Sequence, residues 1–141
     1  MREIKFRGLT KSSYPNFIYG DLINYESGEC SVLENPFTSY GCEGTEIIKR
    51  TQVIPETIGQ FTGFKDKNYV EIYEGDIVSM QHGLYKYTVH FENGSFVCYH
   101  LEHRDLVNGG KLKWGLLSRS FELGEDYELE VIGNVHQKLN T

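Results

Sequence analysis

Residues 85–101 constrain this chain more than any other stretch. Tyr85-Lys86-Tyr87-Thr88-Val89-His90-Phe91 and Ser95-Phe96-Val97-Cys98-Tyr99-His100-Leu101 both alternate with period two, and Glu92-Asn93-Gly94 lies between them. Asn and Gly tolerate the positive φ that a tight reversal between twisted strands needs, so the pattern predicts a β-hairpin. Two registers fit it. A two-residue turn pairs Phe91 with Phe96, Val89 with Cys98 and Tyr87 with His100. A three-residue turn closed by a glycine bulge slips the partner strand by one and puts Val97, Tyr99 and Leu101 on the face of Val89 and Phe91. The bulged register groups the more apolar side chains together and is the one expected.

The rest of the chain is punctuated in the same way. Glu3 to Leu9 alternates, and Phe17 to Tyr25 reads as a second strand with a bulge or bend at Gly20-Asp21. Glu26-Ser27-Gly28-Glu29 turns into Cys30-Ser31-Val32-Leu33. Asn35 to Gly44 is a loop, and Glu46 to Val53 reads as a strand in preference to a helical turn. Ile54 to Phe64 is expected as a connector with short extended pieces, Glu71 to Val78 as one bent strand, and Leu106 to Gly115 as a long exposed excursion. Tyr127 to His136 closes the chain, with Tyr127, Leu129, Val131 and Val135 on one face and Glu128, Glu130 and Asn134 on the other. Composition agrees: alanine, the best helix former, is absent, while the 141 residues hold ten Tyr, eight Phe and 15 Gly. The fold class expected is all-β, with a small barrel from about Gly63 onward.

Cys30, Cys42 and Cys98 form no C-x-x-C pair and leave no complete disulfide framework. The N-terminus lacks the apolar centre of a secretory signal, and no apolar run is long enough for a membrane span, so a cytoplasmic protein without a membrane partner is expected. The formal net charge is −6. It is uneven: Arg2, Lys5, Arg7 and Lys11 oppose Glu3 alone in the first 20 residues, whereas acids dominate residues 21–80 and 122–141. Nucleic-acid binders ordinarily carry a basic footprint, so the overall charge disfavours that partner class and leaves only the N-terminal strip for it. Alternating charge there reads as a solvated strand face.

Chemistry-bearing motifs are few. His100-x-x-His103 near Cys98 is the one spacing that hints at a metal, but a structural zinc wants four converging ligands and no second pair accompanies it. Glu71, Glu74 and Asp76 cluster as an acid/base pair would, yet a short Asp beside Gly75 is also what a turn uses to accept backbone N–H bonds. Glu56, Thr57, Gln60 and Thr62 read as turn chemistry in the same way. No nucleophile elbow and no phosphate-cradling glycine loop occurs, and Cys98 reads as a small apolar core residue. No catalytic, metal or cofactor site is therefore assigned. Tyr40, in the Asn35–Gly44 loop, and Trp114, in the glycine-rich excursion, are the candidate interaction residues, because aromatic side chains on loops are enriched at binding surfaces. Trp114 could equally fold back to cap the barrel.

Arg2-Glu3-Ile4-Lys5-Phe6-Arg7, the central block from Val53 to Val78 and the ending Tyr127 to Val135 together resemble the YopX family of small phage and prophage proteins. Tyr69 stands where the family usually has glycine after Asp-Lys-Asn. A positive-φ turn would then pass to Asn68 or the loop would open. His136-Gln137-Lys138 also departs from the family's more acidic tail. The resemblance implies an SH3-like barrel over residues 59–141, a smaller β-rich subdomain over residues 1–58, self-association, and residence in a bacterial host cell. It implies no reaction. The expected function is that of a non-enzymatic accessory protein, working as a protein-interaction or self-assembling module with an unknown phage or host partner; the alternative is a nucleic-acid-binding small β-barrel.

Overall fold

Nearly all the strand-forming runs pair with neighbours in sequence, which is what short alternating segments separated by turn residues can do most readily. The computed structural model describes residues 3–34, 39–40, 46–47, 49–81, 83–101, 113–118 and 128–137; the side chains of residues 39, 40, 46, 47, 113, 114 and 116 lie outside that description. The chain divides into two units, Met1–Phe61 and Thr62–Thr141.

In the first unit, β1 (Phe6–Leu9), β2 (Phe17–Asn24), β3 (Cys30–Glu34) and β6 (Arg50–Val53) form an antiparallel sheet in the order β6-β3-β2-β1. The short strands β4 (Ser39–Tyr40) and β5 (Glu46–Ile47) pair with each other. The first residues of β7 (Gly59–Lys65) pair along the free side of β1. A bridge between Thr10 and Val53, with the Ile54 N–H donating to the Leu9 carbonyl at 2.9 Å, bends β6 back toward the end of β1. Val53, Val32 and Cys30 are buried together, with Ile18, Leu22 and Ile58 packed around them. A 3-10 turn, Pro55–Thr57, follows β6, and the Thr57 hydroxyl both donates to the Ile54 carbonyl (2.6 Å) and accepts from the Leu9 N–H (2.9 Å).

Two expectations change here. Arg7 is not on a solvated strand face: it is 5% exposed, and its guanidinium lies 4.2 Å from the centroid of the Phe17 ring. A planar cation can be taken out of water when it stacks on an aromatic face in this way. β2 also runs unbroken through Gly20, where a bulge or bend is expected. Gly20 is required for another reason. Its φ is +155°, and a Cβ there would stand 1.9 Å from the Leu33 carbonyl oxygen of the paired strand.

In the second unit, β9 (Asp76–Met80), β10 (Tyr85–Glu92), β11 (Ser95–His100), β12 (Lys113–Leu116) and β13 (Glu130–Asn134) form an antiparallel sheet in the order β12-β11-β10-β9-β13. The later part of β7 pairs with β8 (Glu71–Tyr73). Tyr87, Val89, Phe96, Cys98, Val78, Met80, Ile72, Leu117 and Leu129 make the core. The architecture is all-β as expected. The described pairing leaves β12 and β13 at opposite ends of an open sheet, and the closed SH3-like cylinder is not formed by it.

Local differences follow from turn geometry. The hairpin takes the two-residue register, with Phe91 opposite Phe96, Val89 opposite Cys98 and Tyr87 opposite His100. Asn93 and Gly94 sit at φ +50° and +78°, so both central positions are left-handed and no bulge residue is needed. The stretch 71–78 is not one bent strand: a turn at Glu74-Gly75, with Gly75 at φ +93°, separates β8 from β9, which belong to different sheets. Residues 59–64, expected within a connector, form with Lys65 the seven-residue strand β7. In β13 the register shifts between Val131 and Gly133. That bulge reverses the alternation downstream, so Asn134 is buried and Val135 exposed, opposite to the expected faces.

Gly20→Ala places a methyl group inside a backbone carbonyl at a φ that L-residues avoid. The expected outcome is loss of about 3 kcal/mol or more, or failure to fold, read by urea unfolding.

Candidate functional site

The β9–β10–β11 sheet brings most of the chemistry-bearing side chains together, and the alternation of its strands sorts them onto two faces. One face carries Tyr85, Tyr87, Val89 and Phe91 of β10 against Phe96, Cys98 and His100 of β11. Its centre is buried, but its ends are not: Tyr85 is 38% and Phe91 46% exposed. The Phe91 and Phe96 rings meet at 4.9 Å, and Tyr87 and His100 at 4.7 Å. An apolar face that outruns its core at both ends offers aromatic surface to solvent.

The opposite face carries a polar chain. The Thr88 hydroxyl and His90 Nε2 are 2.7 Å apart, the His90 and Tyr99 rings meet edge to face at 5.1 Å, and the Tyr99 hydroxyl donates to Glu92 Oε2 at 2.5 Å. The hydrogen bond to Glu92 holds the Tyr99 phenol above its usual range, with burial and the Glu92 charge adding to it. These groups satisfy one another along a strand pair. Sequence reasoning missed the network because it is diagonal: Thr88 is opposite Tyr99, whereas His90 and Glu92 reach Tyr99 across the register.

Of the carboxylates singled out in the sequence, Asp76 does turn work. Asp76 is buried, and its Oδ2 accepts the Tyr73 N–H at 2.8 Å across the Glu74-Gly75 turn. Glu71 Oε1 accepts from the Tyr73 hydroxyl at 3.3 Å. Thr57 and Thr62 likewise bond to backbone, Thr62 donating to the Ile72 carbonyl at 2.8 Å. Cys98 is fully buried in the core. His103 lies outside the described residues, and among the described residues no group of three His, Cys, Asp or Glu side chains is placed to hold a metal ion.

Tyr40 and Trp114 are both placed by their backbone in strands, not loops. Tyr40 pairs with Glu46 between β4 and β5. Trp114 falls at the register shift where β12 meets β11, between Lys113 opposite Tyr99 and Gly115 opposite Cys98. Residues 106–112 of the expected excursion lie outside the described residues.

The residue that sequence reasoning overlooked is Asp66. It is buried; Oδ1 accepts the N–H groups of Asn68 (2.8 Å) and Val70 (2.9 Å), and Oδ2 accepts the N–H of Val131 (2.9 Å). Beside it the Lys67 N–H donates to the Leu129 carbonyl at 3.0 Å, and Lys67 pairs with Glu130 at 3.5 Å. The turn between β7 and β8 thus occupies hydrogen-bonding positions along β13, an edge strand of the five-stranded sheet. Asp followed by a polar turn could have signalled the local bonds, but nothing in the sequence marks Val131 as the third partner. At the tip, Tyr69 itself adopts φ +63°, so the left-handed position passes neither to Asn68 nor to an opened loop. Tyr69 is 82% exposed and Val70 47%.

Asp66→Ala strands three backbone donors at once. The expected loss is about 3 kcal/mol or more in urea unfolding, and Asp66→Asn, which cannot accept at both side-chain atoms, loses a smaller part of it. Burial also pushes the Cys98 thiol up to about 12 from 9.0, and burial, with the Cys98 and Tyr85 charges, pushes the Tyr87 phenol up to about 12 from 10.0. Both groups are neutral acids held protonated by folding. Their contribution is complete below pH 9 and is lost as pH rises through that range toward 12. Melting temperature is expected to fall with alkaline pH over this window, and in Cys98→Val the fall begins about one unit later, at the Tyr87 step.

A model of the YopX protein family matches residues 5–140. No curated protein matches the chain. Among the described residues no helix is long and apolar enough to cross a membrane.

Proposed function

The chain belongs to the YopX protein family, and from that premise we propose that it is a non-catalytic accessory protein of phage or prophage type that acts in the bacterial cytoplasm through protein contacts, including contacts with copies of itself. The observation that carries this reading is where the side chains are spent. Asp66 and Asp76 are engaged with backbone N–H groups, while Tyr69, Val70, Tyr85 and Phe91 stand out at turns and sheet ends. Catalysis by carboxylates needs groups free to exchange protons in a cleft; recognition needs apolar and aromatic surface on a stiff frame. The second arrangement fits better.

Strand addition is one route to self-assembly, and β13 is poorly suited to it because the 66–67 segment already bonds to that edge. Side-chain contacts at turns and sheet ends are the route this geometry favours. Tyr40, on β4 of the first unit, and Trp114, on the edge strand β12 of the second, remain candidate interaction residues, each within its own unit.

A nucleic-acid role has one observation in its favour: Tyr14, Tyr19 and Tyr25 are exposed in the first unit, and Arg50 Nη1 lies 3.4 Å from the Tyr25 hydroxyl. Stacking on such rings would be sequence-tolerant and strongly salt-dependent. The net charge of −6 opposes it.

Light scattering of the purified protein over a concentration series separates the readings. The expected mass exceeds the 16.3 kDa of one chain and rises with concentration. A single-chain mass throughout, together with salt-sensitive retention of a labelled oligonucleotide, would favour the nucleic-acid reading instead.

A further inference from the structure

We propose that the tip of the β7–β8 turn, Tyr69 and Val70, is the knob through which two copies of this chain meet; the inference rests on the interaction reading above and names its surface. Three observations converge on the tip. Tyr69 occupies the left-handed region at φ +63°, a conformation unfavourable for a residue with a bulky side chain. Its ring is nevertheless almost wholly in solvent, and among the described residues its phenol makes no hydrogen bond or ring contact that would offset the strain. The turn beneath it is stiff, because the Asp66 carboxylate accepts the N–H groups of Asn68 and Val70 and ties both to Val131. A strained, rigid and exposed aromatic residue beside an exposed valine is surface held ready for burial, with little ordering left to oppose it.

The charges around the tip point to a second copy as the occupant. Lys65 closes β7 and Glu71 opens β8, on the two arms of the turn, and Lys67 and Glu130 form a pair beside it. Counting the buried Asp66 carboxylate, these five groups sum to −1, but the two arms carry opposite signs, a cation at Lys65 and an anion at Glu71, whose Oε1 also accepts from the Tyr73 hydroxyl. A two-fold axis through the tip sets Lys65 of one copy against Glu71 of its mate, and the reverse, around a central cluster of two tyrosines and two valines. A patch that complements itself under two-fold rotation is what an isologous contact requires. The absence of net positive charge makes a nucleic-acid backbone the poorer fit. A contact of this size is weak and reversible.

Sedimentation velocity over a concentration series reads the contact directly. The wild-type chain is expected to associate. Tyr69→Gly, which relieves the φ strain, is expected to unfold at higher urea yet dissociate about tenfold more readily. Lys65→Glu is expected to weaken association, and Lys65→Glu combined with Glu71→Lys to restore it. Leu84→Ser, at an exposed apolar residue on a different turn, leaves association unchanged. Association unaltered by Tyr69→Gly would overturn the knob and leave the wider interaction reading standing. A wild-type chain that stays single at every concentration would remove both the knob and self-assembly. Weakening by Lys65→Glu without rescue in the double variant would also count against the two-fold contact.

Discussion

One carboxylate does more to set the shape of the second unit than any hydrophobic pair. Asp66 accepts three backbone N–H groups, two from its own turn and one from Val131, 65 residues later in the chain. Hydrophobic burial explains why Ile72, Val78 and Leu129 collect in one core, but it is not directional. Hydrogen bonds to an ionised acceptor are both directional and strong, and a buried N–H left unmade is expensive. The turn beneath Tyr69 and the start of β13 are therefore fixed by the same atoms. The strain at Tyr69 follows: with Asn68 and Val70 both held by Oδ1, the residue between them has little choice of φ.

Legibility in the sequence tracked the range of the interaction responsible. The hairpin at Asn93-Gly94 and the strands at 17–24, 30–34 and 130–134 could be read because alternation and turn residues act over a few positions. The hairpin register could not be read the same way. Apolar grouping argued for a bulge, but the backbone preference of Asn93 and Gly94 for positive φ outweighed it, and both faces of the pair proved to be covered near the middle, where Val97 and Thr88 are buried opposite Val89 and Cys98. The parity of β13 was lost for a related reason. A bulge at Ile132 depends on what β9 presents to it, which lies over 50 residues away.

The candidate site was less legible than the fold, for a physical reason. Loops rich in Tyr, Trp and Gly look like binding surface in a linear reading, but strand pairing can recruit them: Tyr40 joins β4, and Trp114 lies in β12. Meanwhile Phe91 and Tyr85, which alternation assigns to the core face, reach solvent because the core is shorter than the strand carrying them. Burial is decided by the length of the covering layer, and the sequence of one strand carries no measure of that length. Arg7 is the converse case, a cation on an alternating face that is buried because Phe17 lies where its guanidinium can stack.

The two ends of β13 illustrate how a small sheet limits the ways it can associate. On one side it pairs with β9, and on the other Lys67 and Asp66 bond to Leu129 and Val131. An approaching strand would have to displace a charge-assisted hydrogen bond before forming its own, so edge-to-edge growth is discouraged at the point where β13 is most extended. Beyond Val131 the bulge twists the edge away, and the Val135 N–H donates to the Gly75 carbonyl at 2.8 Å. The same turn that closes this edge lifts Tyr69 and Val70 into solvent. Blocking backbone association while presenting side chains leaves a surface that can be specific, because side chains at a stiff tip discriminate by shape and charge whereas an open strand edge accepts almost any partner.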